Sequence, residues 1–331
     1  MNIQYLVSDS LNAVESLDYP SDGVVIADEK LIKLYPHLLA PAKPLPTLSL
    51  KAGERYKTKS QLDKIYGFFA ENRVSRSTIV HVFGGGTITD LAAYAASSYK
   101  RGTRLWLYPS TFLGMIDAAI GGKTGYNHLG IKNLIGSFYP AEQIFIYPPF
   151  LDSLAKKELR QGWAEVLKYS LLEDSLQIPD LQRIPLPQNR LLMDCAMFKM
   201  EICANDPFDL GERRLLNLGH SFGHALESAS SFRIPHGDAV VMGIYFVTDL
   251  SHKLGQLDSE MAFSIYDWLE QYPMPIRSEE ITAGIDKQEL YTYLMQDKKN
   301  SGLLTMILPV GDSFEIVELS LDVASFGADK P

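Results

Sequence analysis

The chain has 331 residues, of which 46% are hydrophobic and 21% charged, a balance that allows one large or two ordinary globular domains and excludes extended disorder. Its formal net charge of −9 argues against a general nucleic-acid or acidic-membrane surface, so an anionic ligand has to be met by a local group of Lys and Arg side chains. The opening MNIQYLVSDSLNAVE lacks the basic start and long apolar core of a signal peptide, and the longest apolar run, VVMGIYFV, is far short of a membrane span, so a cytoplasmic enzyme or binding protein is expected.

From the N-terminus onward, the β-rich runs GVVIAD (23–28), STIVHVF (77–83), RLWLYPS (104–110) and QIFIYPP (143–149) are bounded by turn residues and predict strands. Between them SQLDKIYGFFAENR and ITDLAAYAASSYKR carry apolar residues three and four apart and predict helices. This alternation predicts a mostly parallel sheet with helices on both faces. The stretch 39–57, LAPAKPLPTLSLKAGERYK, is too broken by proline for a helix and reads as a crossover. After about residue 155 the periods become helical, in AKKELRQGWAEVLKYSLL, NRLLMDCAMFKMEICAND, RLLNLGHSFGHALESAS and GDAVVMGIYFVTDLSHKLG. Cys195 and Cys203 fall in the second of these segments and suit two buried thiols in a reducing compartment. LLTMILPV and SFEIVEL, on either side of GD, predict a small hairpin.

Gly84-Gly85-Gly86 ends a predicted strand and opens a helix, where backbone amides can approach a pyrophosphate, although the triplet is not GxGxxG and also fits a plain tight turn. Asp28, at the end of a strand, suits a ribose acceptor or an ordinary turn former. MIDAAIGGKTGYNHLGIKN places Asp117, Lys123, Lys132 and Asn133 on what reads as irregular backbone, fitted either to a phosphorylated substrate or to solvent. Glu165 and Lys168 share a helix face among Trp163, Val166 and Leu167, where a carboxylate is costly unless paired or on a metal. Lys199, Arg213 and Asn217 lead into the histidine segment, and DKK at 297–299 adds two more cations. His220 and His224 are four apart, Glu227 lies on the same face, and His236 follows twelve residues after His224. The spacing permits a metal clamp or packed imidazoles, and does not decide which of these groups would bind.

The ordered set GGGTITDLAAYAASSYKRGTR, PSTFLGMIDAAIGGKT, LGIKNLIGSFYPAEQIFI, GWAEVLKYSLL, NLGHSFGHALE, IPHGDAV and DKK resembles the 3-dehydroquinate synthase family of sugar phosphate cyclases, over about residues 22–310. The resemblance implies an α/β, Rossmann-like NAD domain (1–155), a mainly α-helical metal- and substrate-binding domain (156–331), a site in the cleft between them and a homodimer. It implies that Glu165, His220 and His236 hold zinc or cobalt, and that His224 instead lies beside the substrate and serves proton transfer. Asp28, Glu54, Lys57, Gly84, Gly85, Gly86, Asp90, Ser110, Thr111 and Asp117 would line NAD, with Lys123 and Lys132 at the border of cofactor and substrate. Lys123, Lys132, Asn133 and Lys298, the last beside Lys299, would surround the phosphate end of the substrate and the reacting hydroxyls, and Arg101 would come from the neighbouring subunit. Lys199 and Arg213 would read a carboxylate, while Lys168 and Asn217, catalytic together with Lys123 and His224, contact hydroxyl groups.

The implied activity turns 3-deoxy-D-arabino-heptulosonate 7-phosphate into 3-dehydroquinate and phosphate, with NAD used and regenerated. Cyclases of sedoheptulose 7-phosphate would not need the pair Lys199 and Arg213. An amino-dehydroquinate synthase, a metal-dependent polyol dehydrogenase and an inactive NAD-binding protein are the other readings. The chain departs from the family pattern at Pro207, where an acid is frequent, and at Ile131, which precedes Lys132-Asn133 in place of glycine.

Overall fold

The computed structural model describes residues 2–5, 23–36, 45–129, 131–274, 284–295 and 303–320; Lys298 and the rest of DKK lie outside them. The described helices are α1 (Glu29–Leu34), α2 (Lys59–Glu71), α3 (Gly86–Ser98), α4 (Lys156–Leu172), α5 (Asn189–Asn205), α6 (His220–Ala229), α7 (His236–Lys253), α8 (Ser259–Leu269) and α9 (Lys287–Met295). None of them is long and apolar enough to cross a membrane. The chain forms two compact units, residues 1–159 with 186–208, and residues 160–185 with 209–331.

The first unit is built on strands β1 (Asn2–Tyr5), β2 (Gly23–Asp28), β3 (Thr47–Leu50), β4 (Ile79–Gly84), β5 (Arg104–Pro109) and β8 (Gln143–Ile146), in the sheet order β1-β8-β5-β4-β2-β3. Every neighbouring pair runs parallel. All six residues of β2 and of β4 are buried, which explains why these strands read as continuous apolar runs: both faces of a parallel sheet are covered. Phe83, Tyr108 and Phe145 stack across β4, β5 and β8 with centroids 4.1 and 4.7 Å apart. Burial of side chains such as Ile26, Val82 and Ile144 stabilises the sheet by roughly 1.5–3 kcal/mol each.

Three features of this unit differ from the sequence expectation. The proline-rich crossover contains β3, whose TLSL pairs with β2 as a short edge strand between flanking prolines and glycine. The stretch expected to be irregular forms an antiparallel hairpin of β6 (Lys123–His128) and β7 (Ile131–Phe138), so Lys123, Lys132 and Asn133 stand on strands. Its register shifts between Tyr126 and His128, and Asn133 adopts φ +52°. The segment 186–208, expected in the helical domain, belongs to the first unit: α5 packs against the π-helical turn Gly114–Ala118.

In the second unit α4 is threaded through the core by Trp163, Val166, Leu167 and Tyr169, none of them exposed. β9 (Leu304–Val310) and β10 (Ser313–Leu319) form the expected hairpin about Gly311-Asp312. The expected helix over 214–230 is interrupted. A 3-10 turn covers Glu212–Asn217, Gly219 takes φ +74°, and α6 begins only at His220. The break is set by close approach: a Cβ on Gly219 would stand 2.6 Å from Val240 O, and one on Gly243 would stand 1.9 Å from Gly219 O.

Candidate functional site

In the second unit Glu165 is fully buried on α4, with Lys168 one turn along the same face. The Lys168 ammonium ion-pairs with Glu165, donates to Leu216 O at 2.7 Å and lies 4.8 Å from the Tyr169 ring centroid. Burial alone would raise the Glu165 pKa, but Lys168 holds the carboxyl well below the usual carboxylate range. Lys168 engages Glu165 Oε2, while Glu165 Oε1 faces the histidines.

Two imidazoles face that carboxylate. His220 Nδ1 lies 3.0 Å from Leu218 O, and His236 Nδ1 lies 3.2 Å from Glu227 Oε2. A carbonyl and a carboxylate only accept, so each ring donates from Nδ1 and turns Nε2, a lone-pair donor in the neutral ring, toward Glu165. Burial, and next the Lys168 ammonium, push the His220 pKa down to about 3, which leaves the ring neutral near pH 7. The two Nε2 atoms stand 3.6 and 3.5 Å from Glu165 Oε1. One potential ligand atom from each of Glu165, His220 and His236 falls within 4.8 Å of the others. Converging lone pairs around a buried anion repel one another unless a cation lies among them. The donor set of two neutral imidazoles and a carboxylate, with both distal N–H groups held, fits a divalent zinc-like ion.

His224 does not join this group; with Glu227 and His236 it makes a second set whose potential ligand atoms lie within 4.8 Å of one another. Its side chain is half exposed, its ring stacks on His236 at 5.8 Å, and its Nε2 is 4.0 Å from Glu227 Oε2. Glu227, buried on the same helix face, therefore stands beside both His224 and His236.

In the first unit the chain leaves β2 for β3 on one side and returns to β4 on the other, which makes the carboxyl ends of β2 and β4 a topological switch point. Asp28 ends β2, Gly84 ends β4 with Gly85 and Gly86 opening α3, and Ser110 and Thr111 follow β5. Gly85 is the N-cap of α3 and no side chain caps that helix, leaving backbone N–H groups for an anion. A Cβ on Gly85 would meet Thr111 Cγ2 at 2.7 Å, so the approach demands glycine. Asp28 Oδ1 accepts from Lys30 N at 3.0 Å, and burial raises its pKa.

Lys57 is buried, with its ammonium 2.5 Å from Asp90 Oδ2 and in contact with Asn133 Oδ1. Burial raises the Asp90 pKa, and Lys57 opposes that shift. Asn127 links the same network, donating to Glu54 Oε1 at 2.8 Å and accepting from Asn133 N at 2.8 Å. Lys199 Nζ donates to Asp117 O at 2.8 Å and ion-pairs with its carboxylate. Asp90 and Lys123 line one small cavity.

Two family models match end to end, the 3-dehydroquinate synthase N-terminal domain over residues 47–161 and the C-terminal domain over 162–300. The chain belongs to the 3-dehydroquinate synthase family. It is 34% identical over 300 residues to the 3-dehydroquinate synthase of Clostridium tetani, covering 87% of this chain and 79% of that relative. A 2-epi-5-epi-valiolone synthase from Streptomyces hygroscopicus subsp. jinggangensis 5008, solved with NAD+ and Zn2+ bound, shares 25% identity at a TM-score of 0.83, over 98% of this chain and 94% of that one. A 2-deoxy-scyllo-inosose synthase solved with carbaglucose-6-phosphate, NAD+ and Co2+ shares the fold, at 22% identity and a TM-score of 0.83 over 98% of this chain and 95% of that one.

Set against this family, the residues singled out in the sequence divide between the units. Lys199 falls in the first unit and Arg213, buried, in the second, as does the half-buried Asn217. Lys57 and Asn133, expected around NAD and around the substrate phosphate respectively, touch each other. Lys132 is half-buried on β7. Arg101 is exposed in a left-handed turn, φ 66°, after Lys100 at φ 49°. The sequence reading gave no role to Asn127 and placed Glu227 only as a candidate ligand. The helix-face spacing from His220 was the signal for Glu227; Asn127 had none, because its partners are distant in the chain.

Proposed function

We propose that this chain converts 3-deoxy-D-arabino-heptulosonate 7-phosphate to 3-dehydroquinate and inorganic phosphate, a lyase step of the shikimate route to aromatic amino acids. The observation that carries the reading is the convergence of Glu165 Oε1 with the two lone-pair Nε2 atoms of His220 and His236. Family membership supplies the substrate class, a phosphorylated sugar acid.

NAD would lie at the switch point against Asp28, Gly84–Gly86, Ser110 and Thr111, and a zinc or cobalt ion would be held by Glu165, His220 and His236. When bound, NAD takes up and returns a hydride at one ring carbon, and the metal acidifies the hydroxyl on that carbon. The other steps fall to the chain and the substrate. Lys123, Lys132, Asn133 and Lys298 bind the phosphate, which leaves with the C–O electron pair once the adjacent carbon has lost its proton. Lys199 and Arg213 hold the carboxylate, and Lys168 and Asn217 orient hydroxyls. His224, exposed and beside the metal group, moves a proton. Ring opening and an intramolecular aldol then form the C–C bond that closes the carbocycle. A cytoplasmic homodimer, with Arg101 reaching the partner's site, completes the proposal.

The test is phosphate release from the heptulosonate phosphate, with and without NAD and a chelator. Release that needs both NAD and metal, without net NADH, and absent with sedoheptulose 7-phosphate, is the expected result. Steady NADH formation from a polyol with no phosphate released would overturn it, as would NAD binding by metal-loaded protein with no turnover. Sedimentation at micromolar concentration tests the dimer.

A further inference from the structure

The last turn before Glu165 and the first turn after His236 are joined by a buried polar network that the proposed chemistry does not use. Arg160 forms a two-pronged ion pair with Asp238, Nε to Oδ1 at 3.0 Å and Nη2 to Oδ2 at 2.8 Å. Tyr272 OH donates to the same Asp238 Oδ1 at 2.6 Å. Gln161 Oε1 accepts from Gly237 N at 2.5 Å, so α4 supplies the acceptor for a first-turn N–H of α7, whose N-cap, Pro235, makes no side-chain cap. Arg160, Gln161, Asp238 and Tyr272 are all buried. Gly237 adds a steric limit: a Cβ there would stand 2.8 Å from Ala164 Cβ and 2.9 Å from Gln161 Cα.

The spacing gives the network its consequence. Gln161 precedes Glu165 by one helical turn on the same face, and His236 is the first residue of α7, next to Gly237 and Asp238. Side-chain torsions alone would let the Glu165 carboxylate and the His236 ring drift by an ångström or more, enough to spoil ligand geometry. Bolting the two helix ends together one turn from the ligands on α4, and immediately beside the ligand on α7, removes that freedom. We propose that Arg160, Gln161, Asp238 and Tyr272 form a positioning clamp that sets His236 against Glu165 and so determines the affinity and coordination geometry of the metal. The clamp rests on the metal-site reading of Glu165, His220 and His236.

The experiment is Co2+ titration of the full chain, followed by the visible d–d bands, beside thermal unfolding of the metal-free protein. Tyr272→Phe removes one hydroxyl from the clamp, and Gly237→Ala pushes the two helices apart. Each is expected to weaken Co2+ binding about tenfold and to shift the bands. Leu257→Ala is the control: this buried leucine lies beyond the far end of α7, over 20 Å from His236 at about 1.5 Å rise per residue. It should lower the unfolding midpoint and leave both the Kd and the bands at wild-type values. Tyr272→Phe protein that loses stability like Leu257→Ala but keeps the wild-type Kd and bands would overturn the clamp. Should Gly237→Ala fail to fold, Tyr272→Phe decides alone. If the wild-type chain binds no Co2+, the metal site itself fails and the clamp with it, an outcome distinct from a clamp that fails on a metal-binding protein.

Discussion

At the carboxyl edge of the parallel sheet, Lys57 lies against Asp90 and Lys199 against Asp117, so each buried ammonium has a carboxylate of its own. On α4 one carboxylate, Glu165, serves Lys168 and faces two imidazole nitrogens as well. His220 is neutral, and the carboxylates of Glu165 and Glu227 flank His236, an arrangement suited to a cation. The sheet edge, by contrast, pairs its buried charges beside an uncapped helix start, an arrangement suited to anions. The two units therefore gather different groups, carboxylate and imidazole donors in one and paired ammoniums beside an uncapped helix start in the other, and the net charge of −9 of the whole chain reveals neither.

The sharpest test of that contrast is Glu165→Ala. It should abolish phosphate release and metal content, measured by elemental analysis, and destabilise the protein by about 3–5 kcal/mol because Lys168 stays buried without its partner. Near-normal metal content in this variant would remove the basis of the comparison. At the sheet edge Lys57→Ala should also cost about 3–5 kcal/mol in denaturant unfolding, leaving Asp90 unpaired. It should leave Co2+ affinity unchanged; a parallel loss of metal would show that the units do not divide the ligands as described.

A smaller effect belongs to the sheet interior. His81 is buried between Trp106 and Tyr108, and burial lowers its pKa to about 4. The folded value lies below the unfolded one, about 6.5, so this stabilisation is complete above pH 6.5 and is lost as the pH falls toward 4. The loss is at most about 3 kcal/mol, and His81→Leu should flatten that part of the stability profile of the metal-free protein. An unchanged slope would assign the acid lability elsewhere. Least in energy is Glu227→Gln, which keeps an acceptor near His236 Nδ1 but removes the charge. Metal affinity should fall about 10–100-fold, with little change in NAD affinity by titration calorimetry. An unchanged metal Kd would reduce Glu227 to a packing role.

Much of the architecture was legible. GVVIAD gave β2 to the residue, and the helical periods from 156 onward correspond to α4, α5 and α7 within a residue or two. The misses share a cause. β3 is too short and too close to prolines to announce itself, and β6 and β7 are weakened as patterns by Gly125, Asn127 and Gly136, which only pairing across the hairpin accommodates. The run 214–230 keeps a helical period across its break because periodicity does not register the approach of Gly243 to Gly219.

The residues alone thus determined what depends on near neighbours in the chain: a parallel α/β region, a helical region, a hairpin, and a shared helix face for His220, His224 and Glu227. Family resemblance singled out Glu165, His220 and His236, but spacing did not. Only the tertiary structure decided that α5 joins the sheet unit, that Lys57 meets Asn133, and that Glu165 on α4 stands with His220 and His236 while His224 groups with Glu227 and His236. The physical reason is that backbone preference and amphipathic period act over a few residues, whereas a ligand-binding group is assembled by packing between helices whose register is set by contacts such as Arg160 with Asp238.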